Sequence, residues 1–277
     1  LLARFAGEKI TFGQGMTNDL VGWRAHYEND CVRFSACTDL AREETSIGIP
    51  GGFSLYNALA ALCAVQALGV PLRALAEALQ DCTGVKGRCE VVPMQAPFTV
   101  IIDYAHTPDG LKNILSTVGT FADGRVIALF GCGGDRDKSK RPLMARIAAK
   151  NADFVVLTSD NPRTEDPYAI LRGALPGLLA ERTPFAVIEE RRRAIAFALE
   201  EGRAGDVIVL CGKGHETYQE IGTTKYHLDE REVVRECFAR EQRKEAAQAA
   251  KENEHEDHHR LYSELRGIRD HGKISGS

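Results

Sequence analysis

Apolar residues fill positions 126–130, give way to a polar glycine turn over 131–142 and a helical segment, and return at 154–158 before Ser159-Asp160-Asn161-Pro162-Arg163. A short apolar run that passes through glycine into a helical pattern is a strand-turn-helix unit, and two in succession predict neighbouring parallel strands. In open sheets of this kind ligands bind outside the carboxyl ends of the strands, where both charged loops would lie. The alternation extends over strand-like runs at 98–103, 126–130, 154–158, 184–188 and 207–210, with helical segments at 108–120, 140–151, 167–182 and 191–202 between them. The expected fold class is therefore α/β. A last strand is expected at 225–228, then a helix from Asp229, whose side chain can cap it.

Upstream the pattern differs. Residues 8–49 alternate short β-like runs (9–13, 32–36 and 46–49) with polar turns, as antiparallel strands at a domain's edge would. Pro50-Gly51-Gly52 ends that pattern, and Leu55, Ala58, Leu59, Leu62, Val65 and Leu68 follow at helical spacing up to Gly69. Residues 72–80 form a second short helix, 83–88 a loop, and 89–93 a strand, so a domain boundary is expected near 92–97. Beyond Phe238 the chain is charged and Ala-rich, then His-rich, then ends in Gly and Ser, which predicts a solvated helix fraying into disorder.

At 277 residues and 44% hydrophobic content the chain can bury a sizeable core, expected as one full domain plus part of another. A net charge of -4 gives no reason to expect nucleic acid or an anionic membrane surface as partner. No apolar run approaches the ~18 residues of a membrane helix, and Leu1-Leu2-Ala3-Arg4 is no secretory signal. The eight cysteines contain no CxxC pair and read as reduced thiols of a soluble cytoplasmic protein. The chain starts without Met and almost at once enters strand-like sequence, which suggests that upstream sequence is missing.

Four loops carry candidate chemistry. Gly131-Cys132-Gly133-Gly134-Asp135-Arg136 fails as a dinucleotide fingerprint because Arg136 replaces the close-packing glycine. The charges after it (Asp135, Arg136, Asp137, Lys138, Lys140 and Arg141) would suit an anionic substrate, against the plainer reading of a solvated loop. In Asp160-Asn161-Pro162-Arg163 the proline fixes the backbone so that Asn161 and Arg163 point outward, and an arginine held that way matches a carboxylate bidentately. The plainer alternative is an Asp160–Arg163 pair beside a helix starting near Asp166. In Asp103-Tyr104-Ala105-His106-Thr107-Pro108-Asp109, Asp103 could accept hydrogen bonds from ribose hydroxyls and His106 could stack on a base or bind phosphate, unless it is merely a structural cap. In Gly212-Lys213-Gly214-His215-Glu216, the glycines permit close approach of a ligand and Glu216 offers a negative charge to an ammonium group. That loop is no zinc motif, since position 219 is Gln, and the chain contains no GxxxxGK[ST] loop. His255, His258 and His259 in the tail lack an ordering framework and are read as solvated.

Taken together, Asn57 in Phe53-Ser54-Leu55-Tyr56-Asn57-Ala58-Leu59, Gly87-Arg88 and these four loops occur in an order and spacing that closely resembles the Mur ligases of peptidoglycan synthesis, and within them the members that add 2,6-diaminopimelate. The likeness covers roughly residues 8–238. It implies the end of a P-loop-type central ATP-binding domain at 1–94, a Rossmann-like ligase domain with a mostly parallel sheet at 95–238, and a flexible tail at 239–277. It also implies an ATP- and Mg²⁺-dependent ligase that adds meso-2,6-diaminopimelate to UDP-N-acetylmuramoyl-L-alanyl-D-glutamate through an acyl phosphate, and a monomer is expected. Residue by residue, Arg141, Asp160, Asn161, Pro162, Arg163, Gly212 and Glu216 match the amino-acid site. Asn57, Arg88, Asp103 and His106 match positions at the nucleotide. The phosphate-loop lysine and the metal-holding lysine of the family lie upstream of Leu1, so the isolated chain is expected to be inactive and no metal site is expected within it. A related ligase for another amino acid, L-lysine-adding or folylpolyglutamate-type, and a non-catalytic binding remnant stay open as alternatives; Arg163 favours diaminopimelate.

Overall fold

The computed structural model describes Gly7, residues 9–240 and residues 242–243. The chain divides into two compact units, 1–233 and 234–277. Of the second, residues 234–240 and 242–243 are helical; most of the tail, including His255, His258 and His259, lies outside the described residues.

The first unit opens with a four-stranded sheet of β1 (Phe12–Gly13), β2 (Leu20–Tyr27), β3 (Val32–Cys37) and β4 (Arg42–Ile47) in that spatial order. β2, β3 and β4 are antiparallel, the pairing expected for 8–49, but β4 covers Arg42–Ile47 rather than 46–49, and β1 joins β2 in parallel. β2 is absent from the sequence reading because its alternation is broken. Gly22 interrupts it, Arg24 takes a left-handed φ of 50°, and the register with β3 shifts between Trp23 and His26. Helices α1 (Gly52–Gln66) and α2 (Leu72–Gln80) cover this sheet, and Leu55, Leu59 and Leu62 pack with Leu20, Val32 and Phe34 in one core.

A six-stranded sheet follows, built from β5 (Glu90–Val91), β6 (Thr99–Asp103), β7 (Val126–Cys132), β8 (Phe154–Ser159), β9 (Phe185–Val187) and β10 (Val207–Cys211). Its order is β5-β6-β10-β7-β8-β9, all parallel except β5. Every residue of β7 and β10 is buried, as continuous apolar runs in the middle of a parallel sheet must be. Helices α3 (Pro108–Val118), α4 (Lys140–Asn151), α5 (Pro167–Leu179) and α6 (Arg191–Glu200) alternate with the strands.

Three of the four start at a capping side chain. Thr107 accepts from the Gly110 N–H ahead of Pro108, Asp166 accepts from the Tyr168 and Ala169 N–H groups, and Glu190 accepts from those of Arg192 and Arg193. Asp229 likewise accepts from the Arg231 N–H at the head of the helix beginning at Glu230. The last predicted strand is displaced from the main sheet. β12 (Thr224–His227) instead pairs with β11 (Tyr218–Ile221) in a separate antiparallel hairpin. No described helix is long and apolar enough to cross a membrane.

Residues 87–90 lie on the connection from the first sheet and its helices into the six-stranded sheet. Glu90 accepts from Arg231 Nε at 2.8 Å and from the Gly87 N–H at 2.6 Å. Gly87 lies so close to the backbone of Gly214 and His215 that a Cβ there would collide with both.

Candidate functional site

The carboxyl ends of β6, β7, β8 and β10 surround a cavity of about 420 Å³, the size of a small-molecule site. Its lining combines residues that lie far apart in the chain: His106, Gly133 and Arg141, Asp160, Asn161 and Arg163, and Gly212 with Glu216. Of the predicted amino-acid site, Pro162 alone is not part of the lining.

Glycines let the loops touch. An added Cβ at Gly131 would come within 2.6 Å of the Asp160 nitrogen, and one at Gly134 would overlap the Pro162 carbonyl oxygen. The Gly134 N–H donates to the Asn161 carbonyl at 2.9 Å. The glycine turn therefore seats the 160–163 loop. Gly212, at φ 116°, brings its backbone against the Asp160 carboxylate, where a Cβ would stand 2.6 Å from Oδ2.

Beneath the cavity lies Lys213, fully buried. Its Nζ donates to Asn161 Oδ1 at 2.8 Å and to Glu216 Oε2 at 3.3 Å, and stands 3.8 Å from Asp160 Oδ1. Asn161 Nδ2 also donates to Glu216 Oε2 at 3.0 Å. Burial lowers the Lys213 pKa from its ordinary value, while the neighbouring Asp160 charge opposes that shift. Asn161 thus does not point outward as expected from Pro162; it is 4% exposed, because its amide is shared between the lysine below and the β11 backbone, whose Glu220 N–H donates to Oδ1 at 2.9 Å. Glu216 already faces an ammonium group, that of Lys213. Deeper still, Arg191 is fully buried with Glu230 at 2.7 Å and donates to the Ser159 and Cys211 carbonyls, which ties the ends of β8 and β10 together.

The cationic wall carries Arg141 and Arg163. Arg141 is buried; its Nη2 donates to Glu165 Oε1 at 2.8 Å, while its Nε has no hydrogen-bond partner. The Arg141 hydrogen bond holds the Glu165 carboxyl well down, to about 2. Arg163 takes a left-handed φ of 51° and pairs with Glu220 (Nε to Oε2, 3.1 Å) and the Gly134 carbonyl (Nη1, 2.8 Å) rather than with Asp160. Arg136, Asp137 and Lys140 complete the rim.

Four important partners were not singled out in the sequence: Arg191, Glu165, Glu220 and Glu230, and Lys213 was named there without a role. A charge at the end of an apolar strand was the available signal for Lys213. For Arg191 it was helical spacing with the buried Ala194, Ile195 and Ala198. Glu220 and Glu230 gave none, because their partners are remote in the chain.

Of the residues matched to the nucleotide, His106 lines the cavity, its ring 4.6 Å from that of Tyr104. Arg88 sits over the Tyr104 ring, 5.2 Å from its centre. The Asp103 carboxylate accepts from the Cys89 and Ala105 N–H groups, both at 2.8 Å, and burial raises its pKa. Each oxygen keeps a lone pair for a further donor. Asn57 is exposed on α1 and is not part of the cavity lining. Among the described residues the one group with metal-ligand spacing is Glu28, Asp30 and Cys31, none of which lines this cavity. Burial and the Glu28 hydrogen bond push the Cys31 thiol up to about 12, which disfavours the thiolate a metal needs. Cys89, Cys132 and Cys211 are also buried, and no disulfide joins the described cysteines.

Residues 87–214 match the family model for the Mur ligase, glutamate ligase domain. Over 208 residues the chain is 52% identical to the UDP-N-acetylmuramoyl-L-alanyl-D-glutamate--2,6-diaminopimelate ligase of Caldanaerobacter subterraneus subsp. tengcongensis, covering 75% of this chain and 43% of that protein. Over 240 residues it is 44% identical to the Clostridium botulinum protein of the same name, covering 86% and 49%. A solved structure of a ligase with that name matches with a TM-score of 0.71 and 35% identity, over 84% of this chain and 48% of its own. The chain spans about half the length of the curated relatives it matches. Its mostly parallel sheet, its loop order and these likenesses agree, and the chain belongs to the Mur ligase family.

Proposed function

We propose that this chain supplies the amino-acid site of an ATP-dependent ligase of peptidoglycan synthesis, one that joins meso-2,6-diaminopimelate to UDP-N-acetylmuramoyl-L-alanyl-D-glutamate in the cytoplasm. The observation that carries this reading is the charge layout of one cavity. Arg141 and Arg163 bring positive charge to the lining, and Asp160 and Glu216 bring negative charge. A ligand with carboxylates and ammonium groups at both ends fits that layout, and Arg163 would read the carboxylate that distinguishes diaminopimelate from lysine.

In this reading residues 1–94 belong to an ATP-binding domain and 95–238 form the ligase domain. Arg88, Asp103 and His106 would face the nucleotide: a cation beside an aromatic ring, a carboxylate with lone pairs to spare, and an imidazole at the cavity edge. When bound, ATP with Mg²⁺ supplies the phosphoryl group that activates the accepting carboxylate. The residues of this chain bind and orient the incoming amine, so that its nitrogen forms the amide bond as phosphate leaves the acyl carbon. Arg88 across the junction of the two sheets would help to exclude water from that step.

A second reading is a ligase for L-lysine, favoured by one observation: Glu165 and Glu220 already neutralise both wall arginines. Calorimetric titration of the chain with meso-diaminopimelate and with L-lysine separates the two. Binding of diaminopimelate alone, lost in Arg163→Ala, is the expected result. Preference for lysine, or indifference to Arg163→Ala, would overturn the diaminopimelate reading.

A further inference from the structure

We infer that Glu220, on the β11–β12 hairpin, is a positioning residue for ligand selection, one that presets the guanidinium of Arg163. The inference rests on the reading of Arg163 given above. The hairpin grips the 160–163 loop along most of its length. Gln219 Nε2 donates to the Asp160 carbonyl at 2.7 Å, the Glu220 N–H to Asn161 Oδ1, and the Arg163 N–H to the Glu220 carbonyl at 3.1 Å. The Gly222 N–H then donates to the Arg163 carbonyl at 2.7 Å, so that Arg163 and Ile221 form an isolated β-bridge. Held in this way, Arg163 keeps a left-handed φ that a non-glycine residue adopts only under constraint.

The side chain is fixed from two directions. Glu220 takes Nε and the Gly134 carbonyl takes Nη1, while the guanidinium lies 3.2 Å from where a Cβ on Gly133 would be. Nη2 has no hydrogen-bond partner among the described residues, and with the second N–H of Nη1 it is left to donate to a ligand carboxylate. An unheld arginine would lose rotamer freedom on binding, and Glu220 removes that cost beforehand. Its charge also cancels that of Arg163, so selection rests on where the guanidinium points rather than on net attraction. The Glu220→Gln variant separates these two contributions, because it keeps an oxygen acceptor for Nε–H and removes the charge.

The test titrates wild type, Glu220→Gln, Glu220→Ala and Arg163→Ala with meso-diaminopimelate and L-lysine, and follows the Arg163 Nε–H proton by NMR in each protein without ligand. Glu220→Ala is expected to lower the diaminopimelate-over-lysine preference by about tenfold or more, the value of one charge-assisted hydrogen bond. Glu220→Gln is expected to keep it within about threefold, and the slowly exchanging Nε–H signal is expected to survive in Gln and vanish in Ala. If Arg163→Ala abolishes the preference and Glu220→Ala does not, the inference on Glu220 falls and the reading of Arg163 stands. If Arg163→Ala leaves the preference intact, that reading falls with it. Should the wild-type chain bind neither amino acid, the Nε–H signal decides: protection unchanged in Glu220→Ala overturns the inference, and protection lost there supports it.

Discussion

The floor and the cationic wall of the cavity are built from the same residue types, lysine or arginine against carboxylates, yet the two are wired differently. On the floor, Lys213 and Arg191 are fully buried, and their partners come from four separate segments at 159–161, 211, 216 and 230. On the wall, Arg141 and Arg163 line the cavity and each pairs with one carboxylate, and Arg163 keeps its Nη2 without a partner among the described residues. Desolvation explains the division. A buried ion stripped of its partner has no water to turn to, so floor charges fix the ends of β8 and β10. A cavity-facing ion can exchange partners, so wall charges are available to a ligand.

The comparison can be broken at several points, from the largest expected effect downwards. Glu230→Ala leaves Arg191 charged and alone in the interior, and should cost about 3–5 kcal/mol in urea unfolding; a loss below about 1 kcal/mol would deny the floor its structural role. Lys213→Met removes the ammonium shared by Asn161 and Glu216, with an expected loss of about 2 kcal/mol. That substitution also carries a pH signature. The Lys213 pKa is lowered from 10.5 in the folded state, so between the folded value and 10.5 the unfolded chain binds more protons. Stability should therefore gain a rising component with pH across that window, and Lys213→Met should lose it in urea midpoints collected at successive pH values.

On the wall, Arg163→Ala should cost diaminopimelate about a hundredfold in affinity, yet less than about 1 kcal/mol in stability, because its carboxylate partner, 26% exposed, can turn to water. A stability loss equal to that of the floor variants would erase the distinction. The smallest effect concerns Glu165. With its pKa lowered from 4.5 to about 2, the contribution of the Arg141 contact is complete above 4.5 and fades as pH falls towards 2. An NMR titration of the Glu165 side chain with a midpoint near 4.5 would show that the contact is not kept in solution.

The elements and loops that carry this division were largely legible beforehand, its ion pairs were not, and the reasons differ by region. The strands of the six-stranded sheet are continuous apolar runs, and the caps Asp166 and Asp229 are local signals, so elements and cavity loops could be read in place. β2 could not, because a bulge and a left-handed residue interrupt its period. The inward turn of Asn161 was also hidden: Pro162 limits the backbone, but the buried Lys213 and the β11 backbone decide where the amide goes. Both are set by the tertiary arrangement, some 50 residues downstream.

The place of β10 between β6 and β7 has a consequence for how the molecule is made. β6 and β7 are synthesised early, but they never touch each other; each waits for a strand whose last residue is Cys211. Until that segment leaves the ribosome, the nascent chain carries two half-sheets with open, apolar edges, which are templates for misassociation. Closing the gap is a contact of long sequence separation and therefore slow. A chain that stalls before Val207 has most of its elements but lacks β10 and the Gly212 and Glu216 side of the cavity, so the cavity is completed late rather than by degrees.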